Sequence, residues 1–385
     1  MIIPRPRRGH DYGPEKEVHW LVLTGGPCSG KTTALSKIAR ELSLKGYKVY
    51  LVDEAATRII NSGISLEMTP GVKPVDLYDF QSYIAFNQVV SESTIEDAIQ
   101  KTNHDRIVVI CDRGLIDGAA YIDSERFNQI LDELGTTEAE AKSSYDGVIH
   151  LVTAANGAEK YYNLSTNKAR KETPEEARAL DESTLHAWMN HPRKKVIDNS
   201  TSFKKKMDRV MDAVYFLLGV PIPIDIYKKY LVEMPDLDKL QNEFNSSKVD
   251  IIRTYLLNKD NSNERSIIQR GSFGNFAFYY TEKRHFNGYD RIEVERMLSA
   301  KEYTTLISQA DTRLKQISKT RYCFIWNNMY YELDVFPFWS DRAILKIQPT
   351  DKGPKMEIPQ FLRVIEDITD DMSYTNYSLA QNIYS

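Results

Sequence analysis

Residues 18–219 alternate between two patterns of hydrophobic positions. Short runs in which nearly every position is apolar predict strands buried on both faces, whereas longer segments with apolar residues three or four positions apart predict helices. Because the two patterns alternate along the chain, they predict a doubly wound α/β domain, with a parallel sheet and helices on both of its faces. The predicted strands are Val18–Thr24, Lys48–Val52, Arg106–Cys111, Val148–Val152 and Lys194–Ile197, and the predicted helices are Lys31–Leu44, Asp76–Lys101 and Thr201–Leu218.

The pattern changes after a linker that contains prolines, Gly219–Ile224. Short β-rich segments separated by turn signals predict a mostly antiparallel β domain with a few helices. We therefore expect an N-terminal arm over residues 1–17, an α/β domain over 18–219 and a β domain over 225–385. The β segments are Ile224–Val232, Glu264–Gln269, Asn275–Lys283, Arg291–Leu298, Arg321–Trp326, Met329–Phe336 and Ala343–Gln348, and helices are predicted near Val249–Leu257, Lys301–Gln309 and Phe361–Ile368.

Composition narrows the class of protein without indicating its chemistry. A hydrophobic content of 42% and a charged content of 27% are ordinary for a soluble globular protein. No apolar run approaches the ~20 residues of a membrane span, and residues 1–10 lack the apolar core of a secretory signal. The formal net charge of −4 argues against a general nucleic-acid binder, and three widely spaced cysteines favour a reducing compartment. These features predict a cytoplasmic protein without a transmembrane segment.

A phosphate-binding loop lies between the first predicted strand and the first predicted helix. Residues 25–32, GGPCSGKT, match the pattern GxxxxGK[ST]. Glycines let successive backbone N–H groups turn toward phosphates, and the N-terminus of the helix adds its positive dipole end. Lys31 supplies a cation, and the Thr32 hydroxyl is a ligand for Mg²⁺. The predicted nucleotide-binding residues of this loop are Gly25, Gly26, Pro27, Cys28, Ser29, Gly30, Lys31, Thr32 and Thr33.

Two acidic positions follow predicted strands at the edge where a ligand would bind. Asp112 follows Arg106–Cys111, where a second acidic group approaches Mg²⁺, and it could equally cap the next helix. Glu54 closes the strand Lys48–Val52, so its carboxylate is expected to point toward the ligand crevice with a catalytic or metal-linked role. The sequence leaves open whether Arg113 contacts a phosphate or pairs with an acid.

The segment between Val152 and Pro192 is polar and carries no strand signal. We expect a basic lid here, with Arg170 and Arg178 as its cations, unless these residues simply lie on a solvated helix face. Asn199 follows the fifth predicted strand, where it could contact the nucleotide base or cap the helix that begins near Thr201. Because residues 167–170 lack the aspartate of a guanine-binding NKxD motif, the residues alone do not distinguish GTP from ATP.

Seven segments of the second half are β-rich and carry charged residues among apolar ones. They are IDIYKKYLV (224–232), ERSIIQRG (264–271), YYTEK (279–283), RIEVE (291–295), KTRY (319–322), YELDVF (331–336) and LKIQP (345–349). In this order they resemble the CYTH, or triphosphate-tunnel, family, whose members form an eight-stranded antiparallel tunnel lined with charged side chains. The resemblance implies an antiparallel β tunnel, or barrel, with flanking helices and an anionic ligand.

The sequence departs from that family at the positions that bind metal. Catalytic members begin with an ExExK strand, but Tyr227 replaces its second glutamate here, and Lys346 and Gln348 replace an ExE pair in the last strand. A lumen that keeps cations but loses metal carboxylates can hold a phosphate monoester, and it lacks the groups for two-metal hydrolysis of triphosphate. Alternatively, the cations pair with acids and form a polar core. The predicted lipid-phosphate ligands are Lys229, Lys283, Arg291, Lys319, Arg321 and Lys346.

The combination of a P-loop domain containing VDEAATR (52–58) and CDRGLIDG (111–118) with a CYTH-like domain is itself specific. It resembles regulatory GTP-binding proteins that also bind phosphatidic acid and phosphoinositides. The resemblance implies GTP or GDP with Mg²⁺, at most slow GTP hydrolysis, reversible membrane association and partners in vesicle or channel trafficking. The turn Phe336–Trp339 would then be an exposed tip that contacts lipid. Two alternatives compete: a small-molecule kinase of the nucleoside or nicotinamide-riboside type, and a triphosphatase acting through the tunnel.

Overall fold

A computed structural model of the chain divides into two units, Met1–Leu218 and Gly219–Ser385. No helix in the part that the structure describes is long and apolar enough to cross a membrane. The structure describes residues 12, 16–64, 66, 74–162, 172–189, 191, 193–220, 228–244, 246–258, 263–272, 275–286, 290–326, 329–347 and 357–382. Most of the predicted N-terminal arm therefore lies outside the described residues.

The N-terminal unit is built on a five-stranded parallel sheet, as the sequence predicts. Its strands are β1 (Glu17–Thr24), β2 (Lys48–Val52), β3 (Arg106–Asp112), β4 (Gly147–Leu151) and β5 (Lys194–Ile197). They lie in the order β2-β3-β1-β4-β5, and each neighbouring pair is parallel. Because β3 is directly beside β1, Asp112 is in register with Leu23, next to the loop that follows β1.

The α-helices in the described part of this unit connect the strands. They are α1 (Lys31–Leu44), α2 (Ala55–Asn61), α3 (Leu77–Lys101), α4 (Ser124–Glu133), α5 (Glu138–Ser143), α6 (Pro174–Ala187) and α7 (Phe203–Leu217). The Ser202 hydroxyl accepts from Lys205 N and caps α7, so neither Asn199 nor Ser200 has that role. A 3-10 helix, Leu115–Ala120, follows β3 with Gly114 as its N-cap, so Asp112 is not a helix cap either.

Two tryptophans anchor the core of this unit. Trp20 on β1 and Trp188 just after α6 are both fully buried, in one cluster with Val109 and Phe127. Burying each such side chain contributes roughly 2–3 kcal/mol. A Cβ on Gly114 would lie 2.9 Å from the Trp188 ring, so only glycine leaves room for the indole there. This packing holds the end of α6 against the segment that follows β3.

The C-terminal unit confirms the predicted antiparallel β fold. Nine strands lie in the order β10-β9-β8-β7-β11-β12-β13-β6-β14, and the pairs are antiparallel. The strands are β6 (Lys228–Glu233), β7 (Ser247–Tyr255), β8 (Asn263–Ser272), β9 (Asn275–Phe286), β10 (Asp290–Leu298), β11 (Ile317–Trp326), β12 (Met329–Val335), β13 (Arg342–Ile347) and β14 (Val364–Asp367), and the helices are α8 (Leu237–Glu243), α9 (Ala300–Ile307) and α10 (Asn376–Asn382).

Two of the three helices predicted in this unit are wrong. The segment near Val249–Leu257 is strand β7, because its β-branched residues fit a sheet and both of its edges pair, with β8 and with β11. The segment near Phe361–Ile368 contains strand β14, which adds to β6 at the edge of the sheet and makes the strand count nine rather than eight. The predicted helix Lys301–Gln309 corresponds to α9.

The sheet has an apolar face and a face that mixes charged and apolar groups. Leu333 and Leu345 pack with Leu240 of α8 on the apolar face. The residues between them in sequence, such as Asp334 and Lys346, point to the opposite face because side chains alternate along a strand.

The aromatic residues of the Phe336–Trp339 turn belong to the second face. Phe336 is only 1% exposed and packs against Phe338 and Trp339, with ring centroids 5.2 Å away in both cases. The same cluster includes Leu379 of α10. Phe336 is therefore core, and Phe338 and Trp339 are half-buried against it, so the structure does not form the expected exposed lipid-contacting tip.

Candidate functional site

The phosphate-binding loop connects β1 to α1 and needs glycine at two positions. Gly25 has φ 137° and Gly30 has φ 96°, in the region that side chains rarely adopt. A Cβ on Gly25 would also collide with the Leu151 carbonyl oxygen on β4. Cys28 adopts φ 55° as well, so the backbone curls around a small concave space. Such curled segments bind anions through successive N–H groups.

Lys31, the first residue of α1, lies inside this loop. Its side chain is 7% exposed, and Nζ donates to the carbonyl oxygens of Gly25, at 2.9 Å, and Gly26, at 3.2 Å. The next residues, Thr32 and Thr33, are exposed at the start of the helix. The loop therefore combines a preorganised cation with an accessible hydroxyl at a helix N-terminus, as nucleotide phosphates require.

Asp112, at the end of β3, has a buried carboxylate oxygen that lacks a partner. Its Oδ1 makes no hydrogen bond within the described residues. Burial raises the pKa of Asp112 to about 6; the negative charges of Glu54 and Asp117 also raise it, while Lys31 and Arg113 oppose the shift. A divalent cation would relieve this cost by balancing the charge. The orphaned carboxylate and the Thr32 hydroxyl are oxygen ligands of the kind that Mg²⁺ prefers, so these residues fit Mg²⁺.

The described residues contain no group of three or more His, Cys, Asp or Glu side chains that could hold a metal ion. A Mg²⁺ ion at Thr32 and Asp112 would complete its shell with nucleotide phosphates and water, which is how Mg²⁺ is usually bound in nucleotide sites. Its chemistry there is to neutralise charge on the phosphate oxygens.

Glu54 and Arg113 form an ion pair beside the loop. Arg113 Nε lies 2.8 Å from Glu54 Oε1, and its Nη1 lies 3.2 Å from Asp117 Oδ1. Burial alone would raise the pKa of Glu54, but the charge of Arg113 and hydrogen bonds from Thr57 and Arg113 lower it to about 2. Of the two roles left open for Arg113, the structure thus has pairing with acids. The Arg113 backbone has a φ of 71°, in the left-handed region, at the turn where its side chain pairs with these acids.

Asp117 was not singled out by the sequence, yet it joins several segments of the site. The side chain is 3% exposed and accepts from Thr24 Oγ1, from Gly114 N at 2.9 Å and from Trp188 Nε1 at 3.0 Å, besides Arg113. One carboxylate thus ties the end of β1, the turn after β3 and the end of α6. The available signal was an aspartate within the largely apolar stretch LIDGAA (115–120).

Lys206 of α7 supports the loop from below and was also missed. It is 3% exposed, and Nζ donates to Ser29 O at 3.0 Å, Val152 O at 2.8 Å and Asn199 Oδ1 at 2.6 Å. Burial lowers its pKa to about 8, although Asp181 and Asp198 oppose the shift. Three lysines occur in a row at 204–206, and only the helical period distinguishes the inward one.

Asn199 is engaged with the protein itself. Its Nδ2 donates to Thr153 O at 2.8 Å and Asn156 O at 2.6 Å, while its Oδ1 accepts from Lys206. The amide nitrogen therefore holds the loop that follows β4, and the amide oxygen joins Asn199 to Lys206 of α7. Contact with a nucleotide base, as the sequence suggested, would require these bonds to be exchanged.

Helix α6 contacts the phosphate-binding loop through a residue other than the predicted lid arginines. Asp181 Oδ1 accepts from Gly26 N at 2.6 Å and lies 3.2 Å from His150 Nε2. Arg178 instead donates to Ala155 O at 2.7 Å and to Glu175 at 2.6 Å. The other predicted lid residue, Arg170, lies outside the described residues.

In the C-terminal unit, three of the six predicted phosphate-binding cations share one carboxylate. Asp334 lies 2.7 Å from Lys319, 2.6 Å from Arg321 and 2.9 Å from Lys346, and Arg321 also lies 2.6 Å from Glu332. Burial would raise the pKa of Asp334, but these three cations hold it well below the usual value. The arrangement matches the alternative of a paired polar core. Both acids are visible in the sequence segment YELDVF, but the sequence does not show which cations they pair with.

The remaining predicted cations lie on neighbouring strands. Lys229 is in register with Lys346, and Lys283 is in register with Glu264 and Glu293. The side chain of Arg291 is outside the described part of the structure, as are Tyr227 and Gln348. The alternation of strands places the five predicted cations whose side chains are described on one face of the sheet.

Arg270 on β8 adds a fourth cation to this cluster. It is 8% exposed, and its Nε makes no hydrogen bond within the described residues. Its charge contributes to lowering the pKa of Glu332, although the first effect on that group is the opposing one of burial. Four basic side chains thus face two acidic ones, Asp334 and Glu332. The cluster keeps a positive excess.

These features make the N-terminal unit a P-loop nucleoside triphosphate-binding domain, and the second unit an antiparallel β domain with a buried ion cluster. A family model described as an AAA domain matches residues 20–206. The search of curated proteins found no match. The solved structure of the inorganic triphosphatase NE1496 is 23% identical, with a TM-score of 0.31 over 42% of this chain and 96% of that chain. Another, of the hypothetical protein NE1496, is 22% identical, with a TM-score of 0.31 over 41% and 98%.

We expect Asp112→Asn to stabilise the nucleotide-free protein while weakening its response to Mg²⁺. The pKa of about 6 lies above the ordinary 3.8, so the folded state binds the proton more tightly, and stability falls as pH rises from about 4 to about 6. The variant should gain up to about 3 kcal/mol in the free energy of unfolding above pH 6, and little near pH 4. Urea denaturation at pH 4 and pH 8 measures this. A variant less stable than the wild type at pH 8 would contradict it.

We expect Asp334→Asn to destabilise the C-terminal unit, because the buried Lys319 and the partly buried Arg321 and Lys346 lose their shared partner. The cost is about 3–5 kcal/mol at neutral pH. Since the pKa of Asp334 is lowered, its contribution is present above the ordinary pKa and declines as pH falls below it, so the difference should narrow in acid. Hydrogen exchange of β12 and β13 in the full chain measures this locally.

The control is Asp341→Asn, an exposed carboxylate between the same two strands, which should change stability by less than about 0.5 kcal/mol. Adding Lys319→Met to Asp334→Asn removes a buried lysine that has lost its carboxylate, and it should restore part of the protection from hydrogen exchange. Equal exchange in Asp334→Asn and Asp341→Asn would mean that the ion cluster contributes nothing.

Proposed function

We propose that the chain is a regulatory GTP-binding protein whose second unit binds the phosphate group of an anionic phospholipid. Nucleotide binding is supported by two groups that occur together. Lys31 is held inside the phosphate-binding loop, and Asp112, on the strand beside that loop, has a carboxylate oxygen without a hydrogen-bond partner in the described part of the chain. Lys31 can exchange its carbonyl partners for phosphate oxygens, and Thr32 with Asp112 can hold Mg²⁺. Asp181 and Lys206 keep the loop in its curled form.

The choice of GTP, and of a lipid as the second ligand, rests on a resemblance. A P-loop domain followed by a CYTH-like domain is similar to the TRPL translocation defect protein, which binds GTP, phosphatidic acid and phosphoinositides. The same resemblance supports reversible membrane association and a role in vesicle or channel trafficking.

A lipid phosphate would use the positive excess of the ion cluster in the second unit. Lys346 and Glu332 keep 20% and 21% of their side-chain surface, so the cluster is accessible on this side. The buried guanidinium of Arg270 has an Nε donor without a partner among the described residues, and charge-assisted bonds to phosphate are strong in such places. The phosphate would share Lys346 and Arg321 with the two acids rather than find cations without partners. We therefore expect moderate affinity.

We expect Lys31→Ala to abolish GTP binding, because the cation inside the loop is lost. Thr32→Ala should weaken binding only when Mg²⁺ is present, since its hydroxyl acts through the metal. Titration of labelled GTP with Mg²⁺ and with EDTA measures both effects, with ATP as a competitor. Binding that survives Lys31→Ala, or a Thr32→Ala loss that is equal in EDTA, would overturn the site. Stronger competition by ATP than by GTP would overturn only the choice of base.

We expect the full chain to bind phosphatidic acid vesicles in EDTA more tightly than phosphatidylcholine vesicles. Arg270→Gln combined with Lys346→Gln should remove the preference while leaving GTP binding unchanged, because the two units carry separate sites. The matched control is Lys239→Gln, an exposed lysine of α8 in the same unit. Sedimentation with vesicles measures this. Binding that disappears in EDTA, or an equal loss in Lys239→Gln, would contradict a metal-free phosphate site.

A further inference from the structure

A cavity of about 250 Å³ opens beside the phosphate-binding loop in the N-terminal unit. Pro27 of the loop borders it, and its walls come from α2, α3, α6 and the segment after β3. Pockets for drug-sized ligands are roughly 300–1,000 Å³, so this one suits a single smaller molecule. The cavity shares Pro27, Glu54 and Arg113 with the nucleotide site and extends away from it between the helices.

The body of the cavity is apolar. Phe80, Leu115 and Phe127 line it, and each is almost fully buried. Rings and aliphatic side chains of this kind hold a flat or apolar ligand by excluding water. The shape of this wall depends on Gly118, where a Cβ would lie 3.0 Å from the Phe127 ring and 3.6 Å from Gln81 Oε1.

The end of the cavity near the loop is polar. Glu54 and Arg113, joined at 2.8 Å, both line it, so the carboxylate lies at the boundary between the cavity and the phosphate site. Gln81, which is 5% exposed, lines the same cavity from α3. A buried amide that faces a cavity can bind a ligand through both its oxygen and its nitrogen.

We propose that this cavity binds a hydroxyl-bearing acceptor of about nucleoside size, and that the chain transfers the γ-phosphoryl group of its bound nucleoside triphosphate to that hydroxyl. The proposal rests on the nucleotide site of the proposed function and adds a second substrate to it. Gln81 positions the acceptor, and Glu54 accepts its proton.

The transfer balances without a further reactant. The acceptor oxygen attacks the γ-phosphorus and forms an O–P bond, while the bond from that phosphorus to the β,γ-bridging oxygen breaks, and its electron pair leaves with the nucleoside diphosphate. The hydroxyl proton moves to the Glu54 carboxylate and then to water. Phosphoryl transfer passes through a loose transition state in which catalysis is mainly positioning and charge stabilisation, so a carboxylate held ionised by Arg113 suffices as the proton acceptor.

The charges of the cavity restrict the acceptor. Glu54, Asp117 and Glu172 line it with negative charge, and among the described residues that line it the basic group is Arg113, which is already shared by two carboxylates. A phosphate or carboxylate on the acceptor would be repelled. The acceptor is therefore neutral or cationic, which excludes nucleoside monophosphates as substrates.

The test incubates the full chain with Mg²⁺ and GTP or ATP labelled at the γ-phosphate, together with one acceptor at a time. Adenosine, guanosine and cytidine are the neutral probes, nicotinamide riboside is the cationic probe, and CMP is the anionic one. We expect a labelled monophosphate from at least one neutral or cationic probe and no product from CMP. Absence of product from all four neutral and cationic probes, with nucleotide binding intact, overturns the proposal. A preference for CMP overturns it as well. Failure to bind GTP or ATP at all is instead a failure of the proposed function.

Two nearly isosteric variants separate the roles of the residues. Glu54→Gln should reduce the transfer rate about 10²-fold or more without weakening nucleotide binding. Gln81→Leu should raise the acceptor KM about 10-fold with a smaller effect on kcat, because one hydrogen-bonding group is lost. Asp97→Asn, an exposed carboxylate on the same helix as Gln81, should change neither. Equal transfer by the wild type, Glu54→Gln and Gln81→Leu would show that the phosphoryl acceptor binds elsewhere.

Discussion

The site of the N-terminal unit depends on one buried carboxylate, that of Asp117. A charge in this position is tolerated only if hydrogen-bond donors surround it, and three segments provide four donors: Thr24 at the end of β1, Arg113 and the Gly114 N–H after β3, and the indole of Trp188 at the end of α6. The requirement acts in both directions, because each donor is fixed in place by the same group. Through Arg113 the constraint reaches Glu54, and through Trp188 it reaches the end of α6.

The carboxylates of Glu54 and Asp112, both near the phosphate-binding loop, differ strongly in pKa although they share neighbours. Arg113 and Thr57 hold the pKa of Glu54 at about 2, whereas burial without a bonded partner raises that of Asp112 to about 6. Divergent environments of this kind indicate divergent roles. Glu54 therefore stays charged down to low pH, whereas Asp112 takes up a proton in mild acid unless a cation is bound beside it.

Much of the N-terminal unit could be predicted from local pattern, and its internal braces could not. The strands and the loop around Lys31 follow from runs of apolar residues and from glycine spacing, which are local features. Asp117 and Lys206 act through partners up to 177 positions away in sequence, so no local pattern marks them. In the C-terminal unit, the charges of β11–β13 were visible, but which of them pair depends on strand order. For the same reason β7 was predicted as a helix, since only its two neighbours reveal it as a strand.

The ion cluster around Asp334 has a consequence for how the β sheet assembles. Side chains of a strand alternate between faces, so a slip of β12 by one residue would exchange Asp334 with Leu333. The slipped strand would place a charge in the apolar layer against Leu240 and leave Lys319 and Arg321 facing a hydrocarbon side chain. Removing one partner of a buried ionic group is among the costliest errors a fold can make. The cluster thus fixes the register of the central strands, which a uniformly apolar layer would specify less strictly.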